Sequence, residues 1–149
     1  MYCIYEMASF EDQLKGVSSR VKLKSELIVR RLVLNIADSI IEVSPVGDAV
    51  YWEHPEYAPV GYVGGHFIAN WDYGFNSIPR NKYDDIDASG DVSMNRIKSG
   101  MTEAFGIHYI VNNLEYSIRL ENGHSSQAPN GMVKLTAMKF GSFVKDSLR

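Results

Sequence analysis

The sequence predicts an α+β fold, in which a long N-terminal helix and further helices pack on a small antiparallel β-sheet. Apolar residues recur at helical spacing through most of residues 9–43. Residues 66–75 and 107–111 alternate between two faces, which is the pattern of half-buried strands. The predicted order is helix, strand, helix, hairpin, helix, and this order is typical of helices laid on one side of an antiparallel sheet.

The first predicted element is a helix that opens at Ser9, whose spacing from Asp12 is that of an N-cap. A helix over residues 9–43 would be about 50 Å long at 1.5 Å per residue, which is longer than one small sheet can cover. We therefore expect part of it to pack against another subunit. A helix that curves over its own core, or a break near Gly16, would also fit the pattern. Ser44 precedes a proline, and this pair ends the helix.

Length and composition indicate a single globular domain. A chain of 149 residues buries roughly 70% of its unfolded surface. Residues 1–6 match no later pattern, and we interpret them as a translated extension before an alternative start at Met7, so that residues 7–149 are the domain. The net charge of -3 provides no bulk positive field, and the single cysteine, Cys3, allows no internal disulfide. Charged residues interrupt the most apolar stretch, residues 27–43, so we expect no membrane span.

A long loop over residues 46–65 follows the first helix. Loops of this length in compact domains are usually functional or disordered, and the aromatic residues here argue against disorder. We expect the loop to become ordered against a neighbouring subunit, with Trp52, Tyr57 and Tyr62 as the strongest contact candidates.

The second half of the chain predicts the remaining elements. Apolar residues at helical spacing between residues 94 and 105 predict a second helix. Residues 107–111 and 116–121 predict the two strands of a hairpin. Residues 133–144 predict a C-terminal helix, and the polar residues 122–132 form a loop presented between the last strand and this helix.

Four residues of this region, Glu121, His124, Ser125 and Ser126, are of types found in hydrolase sites. A serine nucleophile needs a base that a third group orients, and neighbours on one loop rarely achieve that geometry. The sequence also lacks a Gly-x-Ser-x-Gly elbow. We predict a polar contact loop and no catalytic residue.

Acidic, histidine and basic residues elsewhere in the chain raise the questions of metal binding and nucleic-acid binding. Residues 84–87 are acidic but lack the spacing of an EF-hand loop, and the four histidines are scattered, so we predict no metal and no cofactor. A metal-dependent hydrolase that uses His54, His124 and this acidic turn stays open. So does a nucleic-acid-binding or regulatory module that uses the basic face of the long helix, although a solvated face is the default. The basic residues of that face are Lys22, Lys24, Arg30 and Arg31.

Two parts of the chain resemble a known family. Residues 44–48 (SPVGD) and 64–71 (GGHFIANW) are similar to a region of phage tail-completion and neck proteins. Residues 107–116 (IHYIVNNLEY) and 119–133 (RLENGHSSQAPNGMV) are similar to the pattern Y-I-x-N-x-x-x-Y followed by L-E-x-G-x-S-x-Q-A-P-x-G-M-V of that family. The second pair of segments is the more specific, and the resemblance covers most of residues 7–148.

The chain departs from the family pattern at two places. Gly47-Asp48 stands where Asp-Thr-Gly is common, and Ile68 stands where arginine is frequent. If that arginine bonds a neighbouring subunit in other members, the equivalent contact is in doubt here, because Ile68 has no side-chain donor.

The resemblance implies a head–tail connector or tail-completion component of a tailed phage or prophage. Such a protein is a structural part of the virion neck or tail, is assembled in the bacterial host cytoplasm, and has no enzymatic activity, cofactor or membrane partner. The resemblance further implies a homo-oligomeric ring, hexameric or dodecameric, that touches adjacent connector or adaptor proteins and tail tube or tail terminator proteins. Non-specific contact with packaged DNA is a further expectation.

Ring assembly uses heterologous contacts, in which one surface patch meets a different patch on the next subunit. We expect the loop at residues 121–132 to supply adaptable hydrogen bonds there, with its shape set by Gly123 and Pro129. The predicted subunit and partner contact residues are Trp52, Tyr57, Tyr62, Trp71, Leu120, Glu121, Gly123, Ser125, Gln127, Pro129 and Met132.

Overall fold

The computed structural model describes residues 9–52 and 54–149, and it confirms the predicted α+β architecture. Helices surround a two-stranded antiparallel sheet. The interpretation of residues 1–6 as an extension lies outside the described residues. In chain order the elements are α1 (Phe10–Glu42), β1 (Trp71–Phe75), α2 (Asp91–Gly100), β2 (His108–Asn112), α3 (Ser117–Glu121), α4 (Val133–Met138) and α5 (Phe140–Ser147), with short 3-10 turns at Ala49–Tyr51, Pro55–Tyr57 and Ile68–Asn70.

Helix α1 is continuous over 33 residues, so it is about 50 Å long. The predicted N-cap is confirmed, because the Ser9 hydroxyl accepts a hydrogen bond from the backbone N–H of Asp12 at 3.2 Å. Gly16 does not break the helix. The helix ends at Glu42, three residues before Pro45, as predicted.

Only the C-terminal half of α1 packs on the body of the protein. Val33, Ala37 and Ile40 are buried in the core, and α2, α4 and α5 pack around this half. Every residue from 10 to 24 is exposed. The N-terminal half of α1 therefore extends from the body as a helix that the described part of the chain does not cover.

The sheet is shorter than the sequence predicts. β1 pairs with β2 from Trp71 opposite Asn112 to Phe75 opposite His108. The predicted strand over residues 66–75 is wrong in its first half, where a turn and a 3-10 helix precede β1.

The side chain of Asn70 explains the early turn. It is buried, and its amide group donates to the carbonyls of His66 and Tyr83 at 2.8 and 2.9 Å. Its carbonyl accepts from the Tyr83 backbone N–H at 2.8 Å. These bonds satisfy the buried amide of Asn70. The bond to the His66 carbonyl turns residues 66–70 back on themselves, and the bonds to Tyr83 hold them against residues near position 83.

The predicted hairpin of residues 107–111 and 116–121 is wrong. β2 pairs with β1, and residues 117–121 form helix α3. Ile118 is 72% exposed, whereas Leu120 packs against the core. A short alternating stretch fits both a strand and a single helical turn, and here the long-range pairing with β1 decides the outcome.

Two predicted helices differ in their extent. α2 ends at Gly100 rather than near residue 105. A Cβ atom at Gly100 would lie 2.7 Å from Cδ1 of Tyr73, so the end of α2 approaches β1 closely. The predicted C-terminal helix is divided into α4 and α5, with the division at Lys139.

One hydrophobic core joins these elements. Ile97 of α2 is completely buried, and Phe67, Trp71 and Met132 are nearly so. The same cluster contains the buried residues of α1, so the sheet, α1 and α2 share a single core.

Candidate functional site

The loop at residues 121–132, which joins α3 to α4, is braced from within by Glu121. Its carboxylate accepts hydrogen bonds from the backbone N–H groups of Met132, Val133 and Lys134 at 2.8, 2.9 and 3.0 Å. These three groups are unpaired donors at the N-terminus of α4, where a negative charge is also favoured. Glu121 therefore closes the 121–132 loop by tying its first residue to its last.

Two glycines permit the sharp turns that this closure needs. Gly123 has a φ of 84°, and the N–H groups of Gly123 and His124 donate to the carbonyls of Leu120 and Arg119. This pair of bonds is a Schellman motif that ends α3. Gly131 has a φ of 76°, and a Cβ atom there would lie 2.4 Å from the backbone oxygen of Glu121.

The middle of the 121–132 loop is tied to the loop that follows α1. The Gln127 side-chain oxygen accepts from the backbone N–H of Gly47 at 3.1 Å. The Ser125 hydroxyl accepts from the Gln127 backbone N–H at 3.2 Å. Ala128 is buried, whereas Pro129 is exposed. The loop is thus joined to the loop after α1 by the hydrogen bond between Gln127 and Gly47.

A cleft of about 1250 Å³ lies between these two loops, and we call it the aromatic cleft. The rings of Trp52 and Tyr62, 4.8 Å apart in an edge-to-face arrangement, line it. They are 36% and 38% exposed. Tyr51 and Val63, which also line it, are 62% exposed each. The cleft therefore presents apolar and aromatic surface that the described part of the chain leaves open to solvent.

The lining of the cleft contains a hydrogen-bonded pair that the sequence analysis did not identify. Nδ1 of His66 and the Tyr116 hydroxyl are 3.1 Å apart, and Nε2 of His66 lies 3.0 Å from the Tyr83 carbonyl. A carbonyl can only accept, so in the neutral ring Nε2 carries the hydrogen and Nδ1 accepts from Tyr116. Burial, and then the proximity of Tyr62 and Glu115, raise the pKa of the Tyr116 phenol. No sequence signal marks this pair, because the two residues are 50 positions apart.

The electrostatic character of the cleft is acidic. Asp48 and Asp84 line it, and its lining contains no lysine or arginine among the described residues. The Asp48 carboxylate accepts from the Val50 backbone N–H at 3.0 Å. Asp84 is exposed. The aromatic cleft thus combines apolar surface with unneutralised negative charge.

The predicted contact residues fall into three groups. Trp52, Tyr62, Leu120, Gly123, Ser125 and Gln127 line the aromatic cleft. Trp71 and Met132 are buried within the chain, at 3% and 1% exposure, and Nε1 of Trp71 donates to the Ser44 hydroxyl. These two residues belong to the core and offer no surface to a partner.

Other predicted residues lie outside the cleft. Tyr57 is 73% exposed, and its ring lies 5.0 Å from that of His54. Glu121 and Pro129 belong to the 121–132 loop but do not line the cleft.

The residues weighed as a hydrolase site do not assemble into one. All three hydrogen bonds of the Glu121 carboxylate go to backbone groups at the start of α4. Nδ1 of His124 donates to the Arg119 carbonyl, and no hydrogen bond joins His124 to Ser125 or Ser126 in the described residues. The nucleophile–base pair that acyl transfer requires is therefore not formed here.

Two carboxylates of the acidic turn at residues 84–87 are paired with other groups of the fold. Asp85 forms an ion pair with Arg96 at 3.0 Å. Asp87 accepts from Ser89 and from the Val92 backbone N–H near the start of α2, and these hydrogen bonds lower the pKa of its carboxyl group. Across residues 9–52 and 54–149 no three metal-ligating side chains come together.

The basic face of α1 is smaller than the sequence suggests. Arg30 donates to the carbonyls of Met101 and Thr102 at 2.5 and 2.7 Å, so its guanidinium is part of the fold. Lys22, Lys24 and Arg31 are exposed.

Comparison of the chain with protein-family models, with curated proteins and with solved structures gave no match. A search of the described helices found none with the length and apolar character needed to cross a membrane.

Proposed function

We propose that this protein is a structural subunit of a homo-oligomeric ring at the head–tail junction of a tailed bacteriophage or prophage. In this role it completes the tail or joins it to the connector, and it catalyses no reaction. The ring is a hexamer or a dodecamer, and its neighbours are the connector or adaptor proteins and the tail tube or tail terminator.

The exposed N-terminal half of α1 is the observation that carries the proposal. Phe10, Leu14, Val17 and Val21 are between 48% and 81% exposed on a helix that extends from the body. A contiguous exposed apolar face on a small domain is typical of a protein–protein interface. The aromatic cleft is a second such surface, so the chain has two different patches, as the subunits of a closed ring require.

The resemblance to neck and tail-completion proteins supports the choice of assembly. Its most specific stretch, LENGHSSQAPNGMV, corresponds to the braced 121–132 loop. Glu121, Gly123, Gln127 and Gly131 each have a defined task in building that loop. The resemblance therefore falls on residues that shape one rigid projection beside the cleft.

The test is the mass of the purified protein by light scattering across a concentration series, followed by mass spectrometry of purified virions made from the genome that encodes it. A discrete hexamer or dodecamer, and the presence of the chain in virions, are expected. Absence from virions overturns the proposal whatever the mass in solution.

A variant pair connects the 121–132 loop to assembly. Gly123→Val introduces a side chain at positive φ and a Cβ atom 2.6 Å from the Pro129 carbonyl oxygen, so we expect it to reduce the yield of tailed particles. Gly141→Ala is the matched control, because a Cβ atom there meets nothing within 4 Å. Normal particle yield from Gly123→Val would contradict the assigned role of the loop.

Nucleic-acid binding by the basic face of α1 is the second candidate. The exposed Lys22, Lys24 and Arg31 favour it, since none of them has an ion pair within the described ranges. Its test is DNA binding at several salt concentrations, where contact with phosphates produces a steep loss of affinity as salt rises. Binding that is absent at low salt removes this candidate.

A further inference from the structure

Two apolar surfaces that the described residues leave uncovered lie on different elements. One is the apolar stripe, which we define as Phe10, Leu14, Val17 and Val21 of α1. Their spacing of four, three and four residues places them on one face of a helix. The other surface is the aromatic cleft, and none of the residues that line it belongs to α1.

We infer that the apolar stripe of one copy binds in the aromatic cleft of an adjacent copy. The inference rests on the proposed self-assembly and specifies the contact through which the ring closes. It is a heterologous contact, because each subunit provides the stripe on one side and the cleft on the other.

Charge favours this pairing. Arg20 and Lys24 follow Val17 and Val21 by three residues each, so both flank the stripe. Neither has an ion pair with any residue of the described chain. The cleft has carboxylates and no basic side chain among its described lining residues. Glu11 and Asp12 lie at the start of α1, so the basic end of the stripe, at Arg20 and Lys24, is the part that the acidic cleft attracts.

The size of the cleft also fits a helix. Its volume of about 1250 Å³ exceeds the roughly 300–1,000 Å³ that is usual for small-molecule sites. An occupant larger than a small molecule, such as a segment of a helix about 10–12 Å in diameter, suits a cleft of this volume. Trp52 and Tyr62 are the large aromatic residues that would contact the inserted stripe, as in the centres of protein interfaces.

Directed crosslinking tests the inference. Cys3→Ser removes the native thiol, and single cysteines are then introduced at exposed positions, Leu14→Cys in the stripe and Val63→Cys in the cleft. One of the two proteins carries an affinity tag, so that the three possible disulfide dimers differ in mass. Equal amounts are mixed and oxidised at protein concentrations up to about 1 mM, where even a weak contact is populated.

The mixed 14–63 dimer is expected to exceed both the 14–14 and the 63–63 dimers. Glu103→Cys replaces Val63→Cys in the control, since Glu103 is exposed and does not line the cleft. A dominant 14–14 dimer would mean that stripes pair with each other, and a 14–63 yield no higher than the 14–103 yield would mean no specific contact. Either result overturns the inference, while the presence of the chain in virions continues to decide the proposed function separately.

An affinity measurement gives a second criterion. Leu14→Asp is expected to weaken self-association by at least about tenfold, because it places a charge where an apolar side chain becomes buried. At a protein concentration low enough to keep both proteins monomeric, its unfolding midpoint should stay that of the unchanged protein, since Leu14 is exposed. Lys24→Glu should weaken association at low salt, and adding Asp84→Lys should restore part of it. Unchanged association in both Leu14→Asp and Lys24→Glu contradicts the inference.

Discussion

Replacement of Glu121 tests whether one side chain holds the 121–132 loop closed. Its carboxylate accepts three backbone hydrogen bonds of 2.8 to 3.0 Å at the start of α4. Loss of a helix cap costs about 0.5–2 kcal/mol, and loss of a favourable charge at a helix N-terminus costs about 0.3–1 kcal/mol. We therefore expect Glu121→Ala to lower the free energy of unfolding by about 2 kcal/mol.

Glu121→Gln separates charge from geometry. Glutamine keeps one acceptor oxygen and the length of the side chain but loses the negative charge and the second oxygen. We expect a loss of about 1 kcal/mol, intermediate between the unchanged protein and Glu121→Ala. Glu103→Gln is the control, because that exposed glutamate makes no hydrogen bond or ion pair within the described residues, and it should have no measurable effect.

Urea unfolding followed by circular dichroism at one fixed protein concentration measures these differences. With a urea dependence of about 2 kcal/mol per molar, the midpoint of Glu121→Ala should fall by about 1 M. The 121–132 loop should also become a site of rapid proteolysis in that variant. A midpoint within error of the Glu103 control would refute the assignment of Glu121 as the brace of the loop.

Three further predictions concern the loop turn, the core and the start of α2. Gly131→Ala should destabilise the protein by about 1–3 kcal/mol, because the new Cβ atom would stand on a residue with a φ of 76° and lie 2.4 Å from the backbone oxygen of Glu121. Gly141→Ala should not destabilise it, and thermal unfolding of the two variants distinguishes these outcomes. Ile97→Ala should cost about 2–5 kcal/mol in urea unfolding, since Ile97 is fully buried, and a cost below about 1 kcal/mol would place it outside the core. Asp87 has a pKa below its usual value of 3.8 because Ser89 and the start of α2 donate to it, so its stabilisation is complete above about pH 4 and is lost as the pH falls through its folded pKa. Asp87→Asn should therefore flatten the decline of the urea midpoint as the pH falls below about 4, and an unchanged decline would contradict this.

Local signals in the sequence were sufficient where neighbouring residues decide the structure. Ser9 and Asp12 are three residues apart, so the cap of α1 forms within its own first turn. The helix end before Pro45 is equally local, because proline restricts the residue that precedes it. The apolar periodicity also predicted a long first helix, and α1 spans 33 residues.

Predictions failed where two distant segments compete for one partner. The alternation in residues 116–121 suits a strand, but β2 pairs with β1 instead, and the stretch forms α3. Residues 66–70 also alternate, yet Asn70 bonds to Tyr83 and turns the chain. A sheet partner is chosen by the total of long-range contacts, which no local pattern contains.

The candidate site shows the same division between features that local sequence patterns indicate and contacts between distant residues that they do not. Periodicity and composition indicated that α1 offers an apolar face beyond its own core and that the 121–132 loop projects between two elements. The sequence could not indicate that Glu121 caps α4. Nor could it indicate that the Arg30 guanidinium donates hydrogen bonds to the carbonyls of Met101 and Thr102.

By itself, therefore, the sequence determined the α+β class, the long helical stretch at the N-terminus and the polar loop before the C-terminal helical region, since each follows from residues within one or two turns of each other. Only the tertiary structure decided that β1 and β2 form the sheet, that Trp71 and Met132 are core residues, and that Trp52 and Tyr62 share a cleft with the loop. These outcomes depend on which of several apolar segments is buried against which other, and that choice is made by packing over the whole chain.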